Sequence, residues 1–242
     1  MIRYAFGNEI AVESSRRNFK RTDITQVSIM NLQRFENRQQ LIPAAHVEAS
    51  QAETLATALS RALHNEPDMA YMFPNEETRR IVSPVFFLSA IRAGQGCGEI
   101  RATEDPDGVA VWIHPEYDLP HHRTVRMGPI AMPFNDGSEL TSRYMRLGAS
   151  VEEIRKRLAP HPHWYLMVFG AAAPWPASPL SQALIEPVLS QADSTGTPCY
   201  LETFNEKRLP FYKAFGFRIA GAGRIPDGGP NFWAMTRDGS TH

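Results

Sequence analysis

His163-Trp164-Tyr165-Leu166-Met167-Val168-Phe169-Gly170-Ala171 is followed downstream by Leu209-Pro210-Phe211-Tyr212-Lys213-Ala214-Phe215-Gly216-Phe217. The first run is apolar almost throughout and predicts a buried strand over 163–171. Between the two runs, Leu180, Leu184, Val188 and Ala192 recur at helical spacing and predict a helix over 179–193. A strand over 197–204 follows, carrying Pro198-Cys199-Tyr200-Leu201-Glu202-Thr203. Strand, helix and strand in this order predict a parallel pair joined by a right-handed crossover. A short helix near 208–215 then leads to strands at 216–222 and 231–237.

Upstream, Ser50 and Glu53 form a capping box for a helix over 50–64, with Leu55, Leu59 and Leu63 on one face. Pro67 breaks that helix. A second helix is expected over 77–93, with Ile81, Val85, Phe86, Leu88 and Ile91 as its apolar positions and Pro84 accommodated near its start. A hairpin over 98–103 and 108–114 turns at Asp105-Pro106-Asp107-Gly108. Its second strand, Val109-Ala110-Val111-Trp112-Ile113, reads as a central strand. A charged amphipathic helix is expected over 137–158. The class is α/β: a mixed sheet, antiparallel in its N-terminal half, with a parallel pair in its C-terminal half and helices flanking it. Residues 1–45 are polar, carry Arg16-Arg17-Asn18-Phe19-Lys20-Arg21 and show no sustained period. They read as an extension that packs on the 46–242 domain or on a second subunit, as in a homodimer.

The 242 residues are 43% apolar and 21% charged, which is globular composition with enough apolar material for a sizeable core. A formal net charge of −1 argues against nucleic acid or an anionic membrane as partner. Cys97 and Cys199 lack metal or disulfide spacing and read as reduced core thiols. The first residues lack the apolar core of a signal peptide, and the longest apolar run, Trp164 to Trp175, is too short to span a bilayer. A cytoplasmic protein is expected. His121-His122 and His161-Pro162-His163 lack carboxylate or cysteine partners at ligand spacing, so no metal is expected. No serine nucleophile elbow or Cys/His constellation is legible.

In order and spacing, several of these segments resemble the GNAT superfamily of N-acyltransferases, in particular members similar to puromycin N-acetyltransferase. The resemblance rests on the 163–171 strand, Ala183 to Leu189, Leu201-Glu202-Thr203, Leu209 to Phe217 and Gly229-Pro230. Glu66-Pro67 and Val109 to Trp112 agree more loosely, so it spans roughly 46–237. It implies acetyl-CoA or another acyl-CoA as donor, with the backbone of Phe169, Gly170 and Ala171 pairing with the pantetheine arm. Gly170 fits equally a bulge in an ordinary buried strand. It implies Tyr212 as the acid for the departing thiolate, and Glu202 as a base if its side chain faces a cleft. The loop departs from the family pattern. Pro176 stands at the Gln/Arg position, and Ala177, Pro179 and Ser181 stand at the glycines. Ser178 caps the following helix itself and Pro179 has no N–H, which leaves few donors among Ser178, Leu180 and Ser181 for a diphosphate. Two readings of this loop stand: coenzyme A in altered geometry, or a pocket that no longer serves it. Arg208 stands where the family often has Asn. Trp112, Tyr71, Phe73, Trp175 and Trp233 are candidate walls for an apolar substrate.

Three functions follow. The first is acyl transfer from acyl-CoA to a small-molecule amine. The second is a cofactor-free cyclisation or isomerisation of an apolar, natural-product-like metabolite on the same fold. The third is a non-catalytic binding protein.

Overall fold

The computed structural model describes residues 41–42, 49–103, 108–117, 139–171 and 179–240. The Asp105–Asp107 turn, His121-His122, Trp175 and Pro176 to Ser178 lie outside them. A seven-stranded sheet runs in the order β1-β2-β3-β4-β5-β7-β6. Its strands are β1 (Leu41–Ile42), β2 (Gly98–Thr103), β3 (Gly108–Ile113), β4 (Trp164–Ala171), β5 (Cys199–Thr203), β6 (Arg218–Arg224) and β7 (Asn231–Arg237). The β1–β2, β2–β3 and β3–β4 pairs are antiparallel, as are β5–β7 and β6–β7. The β4–β5 pair is parallel, as the strand–helix–strand order requires. The helices are α1 (Ala49–Ala62), α2 (Pro67–Met72), α3 (Glu76–Cys97), α4 (Glu139–Leu158), α5 (Pro179–Thr195) and α6 (Leu209–Ala214). Among the described residues, no helix is long and apolar enough to cross a membrane.

Strand alternation sorts the core into two clusters. Val109, Val111 and Ile113 of β3 join the cluster built with α1, α3 and α4. Ala110 and Trp112 of the same strand join the cluster built with α5 and α6. Both faces of β3 are thus covered, which is why the strand reads as an unbroken apolar run. On α4, Tyr144, Leu147, Val151 and Ile154 bury one helical stripe against the first cluster.

Several local expectations shift. The first helix stops at Ala62, and Pro67, expected to break it, instead starts α2, because a proline at the first helical turn loses no hydrogen bond. The α3 helix runs to Cys97 with Pro84 inside it. Its core positions are Val82, Phe87 and Ile91, while Ile81 is 67% exposed. The bulge in β4 is at Met167 rather than Gly170: Val111 pairs with Val168 and Trp112 with Leu166, leaving Met167 as the extra residue. Gly170 instead pairs with Val109. A Cβ there would meet Leu59 Cδ2 at 2.9 Å, so the glycine lets α1 sit close on the strand.

The end of α6 explains its sequence motif. Gly216 takes φ 85°, its N–H donates to Lys213 O at 3.0 Å, and the Phe217 N–H donates to Tyr212 O at 3.2 Å. This is a Schellman stop, in which glycine carries the left-handed residue without a Cβ penalty. It holds the Tyr212 backbone at the helix end.

Candidate functional site

The parallel pair is short. β4 and β5 pair only through Trp164 with Cys199, Tyr165 with Tyr200 and Leu166 with Leu201. The next residue of β4 is the bulged Met167, and the next of β5 is Glu202. The bulge bends β4 where pairing stops, so the two strands part there. A cavity lies at the parting. Glu66, Asp68, Tyr165, Glu202, Arg208 and Tyr212 line it, together with Phe169.

Glu202 lies on the face opposite Leu201, one residue beyond the paired stretch. The Tyr165 hydroxyl donates to its Oε1 at 3.1 Å. Burial raises the Glu202 carboxyl to about 8, against the pull of the Arg155 guanidinium and the Tyr165 hydrogen bond. Arg155 lies over the Tyr165 ring, 5.5 Å from its centroid. Burial, and then the charge of Glu202, pushes the Tyr165 phenol well above its ordinary range.

On the other side of the parting stands a second polar group. Arg208 Nη2 donates to Glu66 Oε1 at 2.7 Å, and Nη1 donates to the Phe169 carbonyl at 3.0 Å. Asn205 Nδ2 donates to the same Glu66 oxygen at 3.3 Å. The Arg208 side chain is 8% exposed. Burial raises Asp68 to about 6, and the charge of Glu66 adds to this, while Arg208 pulls it back. Burial also raises the Tyr212 phenol, again against the pull of Arg208. Phe211, beside Tyr212, stacks on Phe169 with centroids 5.5 Å apart and planes within 5°.

No protein-family model matches the chain. It is 24% identical over 182 residues, 72% of its length, to the uncharacterized N-acetyltransferase C550.08 of Schizosaccharomyces pombe, covering 73% of that protein. Among solved structures, arylalkylamine N-acetyltransferase 2 from Aedes aegypti superposes with TM-score 0.54 at 9% identity, over 82% of this chain and 99% of the other. The Drosophila melanogaster polyamine N-acetyltransferase gives TM-score 0.53 at 13% identity, over 82% of this chain and 100% of the other. An acetyltransferase from Corynebacterium glutamicum, related to histone acetyltransferase HPA2, gives TM-score 0.54 at 20% identity, over 84% and 97%. The chain has the GNAT fold.

On this fold the expected site residues divide. Glu202, Tyr212 and Phe169 meet at the cavity. Gly170 and Ala171 continue β4 beyond Phe169. Leu180 and Ser181 sit in the first turn of α5, with Ser181 buried, and Ser178 precedes the described part of that helix. The aromatic walls are not where the sequence suggested. Trp112 is 0% exposed in the α5-side cluster, edge-on to Trp164 at 6.5 Å. Trp233 packs against the same cluster. Neither lines the cavity. Tyr71 accepts from Arg146 Nη1 at 3.1 Å, Phe73 is 1% exposed in the core, and neither lines the cavity. The apolar wall comes instead from Met72, Phe86, Phe87, Leu147 and Val151.

Sequence reasoning missed Glu66, Asp68, Arg208 and Tyr165 as cavity residues. Glu66-Pro67 carried a signal, since a residue just before a helix-starting proline sits at the N-cap and faces outward from the helix end. Tyr165 and Glu202 lie on neighbouring strands of one parallel pair, but only the register brings them together.

Proposed function

We propose that this protein transfers an acyl group from an acyl-CoA to the nitrogen of a small-molecule amine. One observation carries the reading. A buried carboxyl, Glu202, held by the Tyr165 hydroxyl, and the Tyr212 phenol line one cavity where β4 and β5 part. The N-acetyltransferases that share the fold support the reaction class.

The chemistry follows from the two groups. An amine must lose a proton before its lone pair can attack. Once ionised, as pH rises through about 8, Glu202 accepts that proton more readily than an ordinary carboxylate. Tyr165 holds the Glu202 carboxyl by its Oε1. Tyr212 keeps its phenol proton at neutral pH and is the acid for a leaving group. The apolar wall keeps bulk water from the carboxyl.

The chain's own residues fit the donor in part. Pairing of β4 with β5 stops at Leu166, so the strand edge at Phe169–Ala171 suits the amide-bearing arm of an extended ligand. The N-terminus of the 17-residue α5 suits its phosphates, although Pro179 there has no N–H to offer. When bound, the donor supplies an acyl group already activated as a thioester. A cofactor-free reaction on the same cavity is the second reading. It is favoured by Arg208, whose guanidinium already bonds the Phe169 carbonyl.

Calorimetric titration with acetyl-CoA, followed by an assay of amine-dependent thiol release, separates the two. Micromolar binding and thiol release are expected. An absence of binding at millimolar acetyl-CoA overturns acyl transfer and leaves the cofactor-free reading.

A further inference from the structure

One hydrogen bond occupies the strand edge that the acyl-transfer reading gives to the acyl-CoA. Among the described residues, β4 has no strand partner on its β5 side beyond Leu166. Arg208 reaches that edge at Phe169, where its Nη1 donates to the backbone carbonyl at 3.0 Å. Arg208 ends the 3₁₀ turn Glu206–Arg208 that follows β5, so its side chain extends back across the parting. Its Nη2 donates to Glu66 Oε1 at 2.7 Å. Glu66 is the N-cap of α2, yet its carboxylate bonds none of that helix's N–H groups and is turned to Arg208 instead. One guanidinium thus ties the open edge of β4 to the start of α2. An extended ligand pairs with a strand edge through the strand's own N–H and C=O groups. A carbonyl already held by a guanidinium is closed to that pairing.

We propose that Arg208 is a clasp on the open edge of β4, and that an acyl-CoA binds only as the guanidinium leaves the Phe169 carbonyl for Glu66 and Asp68. This rests on the acyl-transfer reading, which assigns that edge to the amide-bearing arm. Opening the clasp strands no charge. Glu66 keeps its hold on Nη2, and Asn205 Nδ2 shares the same carboxylate oxygen at 3.3 Å. Asp68 lines the same cavity and already feels the charge of Arg208, so a guanidinium turned away from β4 meets a second carboxylate. A buried cation that stays paired avoids the large cost of an unpaired one. The Phe169 carbonyl in turn exchanges one N–H partner for another, from the arm. Arg208 therefore sets the affinity for the acyl-CoA against the sign of its own charge. A cation near a polyanionic ligand ordinarily strengthens binding. Here its removal strengthens binding, because the arm has nothing left to displace.

The test is calorimetric titration of the wild type and Arg208→Ala with acetyl-CoA, with circular dichroism to verify that both are folded. The variant should bind at least about tenfold more tightly. An arginine with a merely structural role would lose stability on removal without tightening binding. If the wild type binds and the folded variant binds equally or more weakly, the proposal is overturned and the acyl-transfer reading stands. Binding by the variant alone upholds the clasp, while acyl transfer by the wild type fails. If neither binds, both fall. Arg208→Lys decides should the alanine variant not fold. Its ammonium keeps the charge but lacks the fork that spans Glu66 and the Phe169 carbonyl together. It should also bind acetyl-CoA more tightly than the wild type, and an unchanged or higher Kd overturns the proposal.

Discussion

The two faces of one sheet make opposite use of the same strands. On the α5 side, Trp112, Leu166, Leu201 and Met235 close into an apolar layer. On the α4 side, the neighbours of those residues include Tyr165 and Glu202, which line a cavity with Arg208 and Asp68. A single step along β5, from Leu201 to Glu202, crosses from the packed layer to the cavity. The difference is made by how β4 and β5 end. Both are paired through Leu166 and Leu201, and only beyond that point does the cavity open. Phe169 and Tyr212 belong to the α5-side cluster and still reach the cavity at the parting, so stability is expected to depend mainly on the buried layer and proton chemistry on the residues at the parting.

The sharpest way to break this contrast is Glu202→Gln. Acyl transfer should fall by about 10²–10⁴, while the folded state survives because the amide oxygen still accepts from Tyr165. The sign for stability is fixed by the raised carboxyl, which stands at about 8 against an ordinary 4.5. What the neutral carboxyl contributes is fully present below the unfolded value and is lost as pH rises through about 8. Glu202→Gln removes that loss, so thermal denaturation at pH 9 should show the variant more stable than the wild type. Equal melting there would place Glu202 in solvent.

On the dry face the expectation reverses. Trp112→Ala should cost about 3–5 kcal/mol in denaturant unfolding, with the pH dependence of turnover unchanged in the surviving folded protein. An altered acidic limb would mean that the faces are coupled. Tyr212→Phe keeps the ring among Phe211 and Phe217 and removes only the hydroxyl. Its kcat should fall by roughly 10², with a small loss of stability from the hydroxyl's bond to Arg208, and full activity would remove the phenol from the reaction. Gly216→Ala tests the helix stop beneath Tyr212. A Cβ at φ 85° costs about 1–2 kcal/mol, and the Cβ itself has room, with Arg237 Nε 3.4 Å away. Tyr165→Phe should have the smallest effect. It removes a hydrogen bond that favours the carboxylate, so the acidic limb of turnover should move to higher pH.

The fold was legible because its signals are local. Val109 to Ile113 is apolar on both faces, Leu180, Leu184, Val188 and Ala192 recur at helical spacing, and Phe215-Gly216-Phe217 carries the turn at the end of α6. Glu202 and Tyr212, singled out from short motifs of the family resemblance, are both on the cavity lining. The bulge at Met167 was not legible, since it exists only in the register between β3 and β4. Glu66 and Arg208 lie 142 residues apart in sequence, and no periodicity links them. Of the expected aromatic walls, Trp112 and Trp233 pack with the α5-side cluster and do not line the cavity. Phe86, read simply as part of an apolar helix face, lines the cavity, as does Phe87, which that reading did not include.

The direct test is kcat against pH, with acetyl-CoA and an amine acceptor, for the wild type and Glu202→Gln side by side. In the wild type, kcat should climb with pH through about 8 as the Glu202 carboxyl ionises, and that limb should vanish in the variant. Profiles of the same shape in both proteins would show that the carboxyl at the parting of β4 and β5 is not the base.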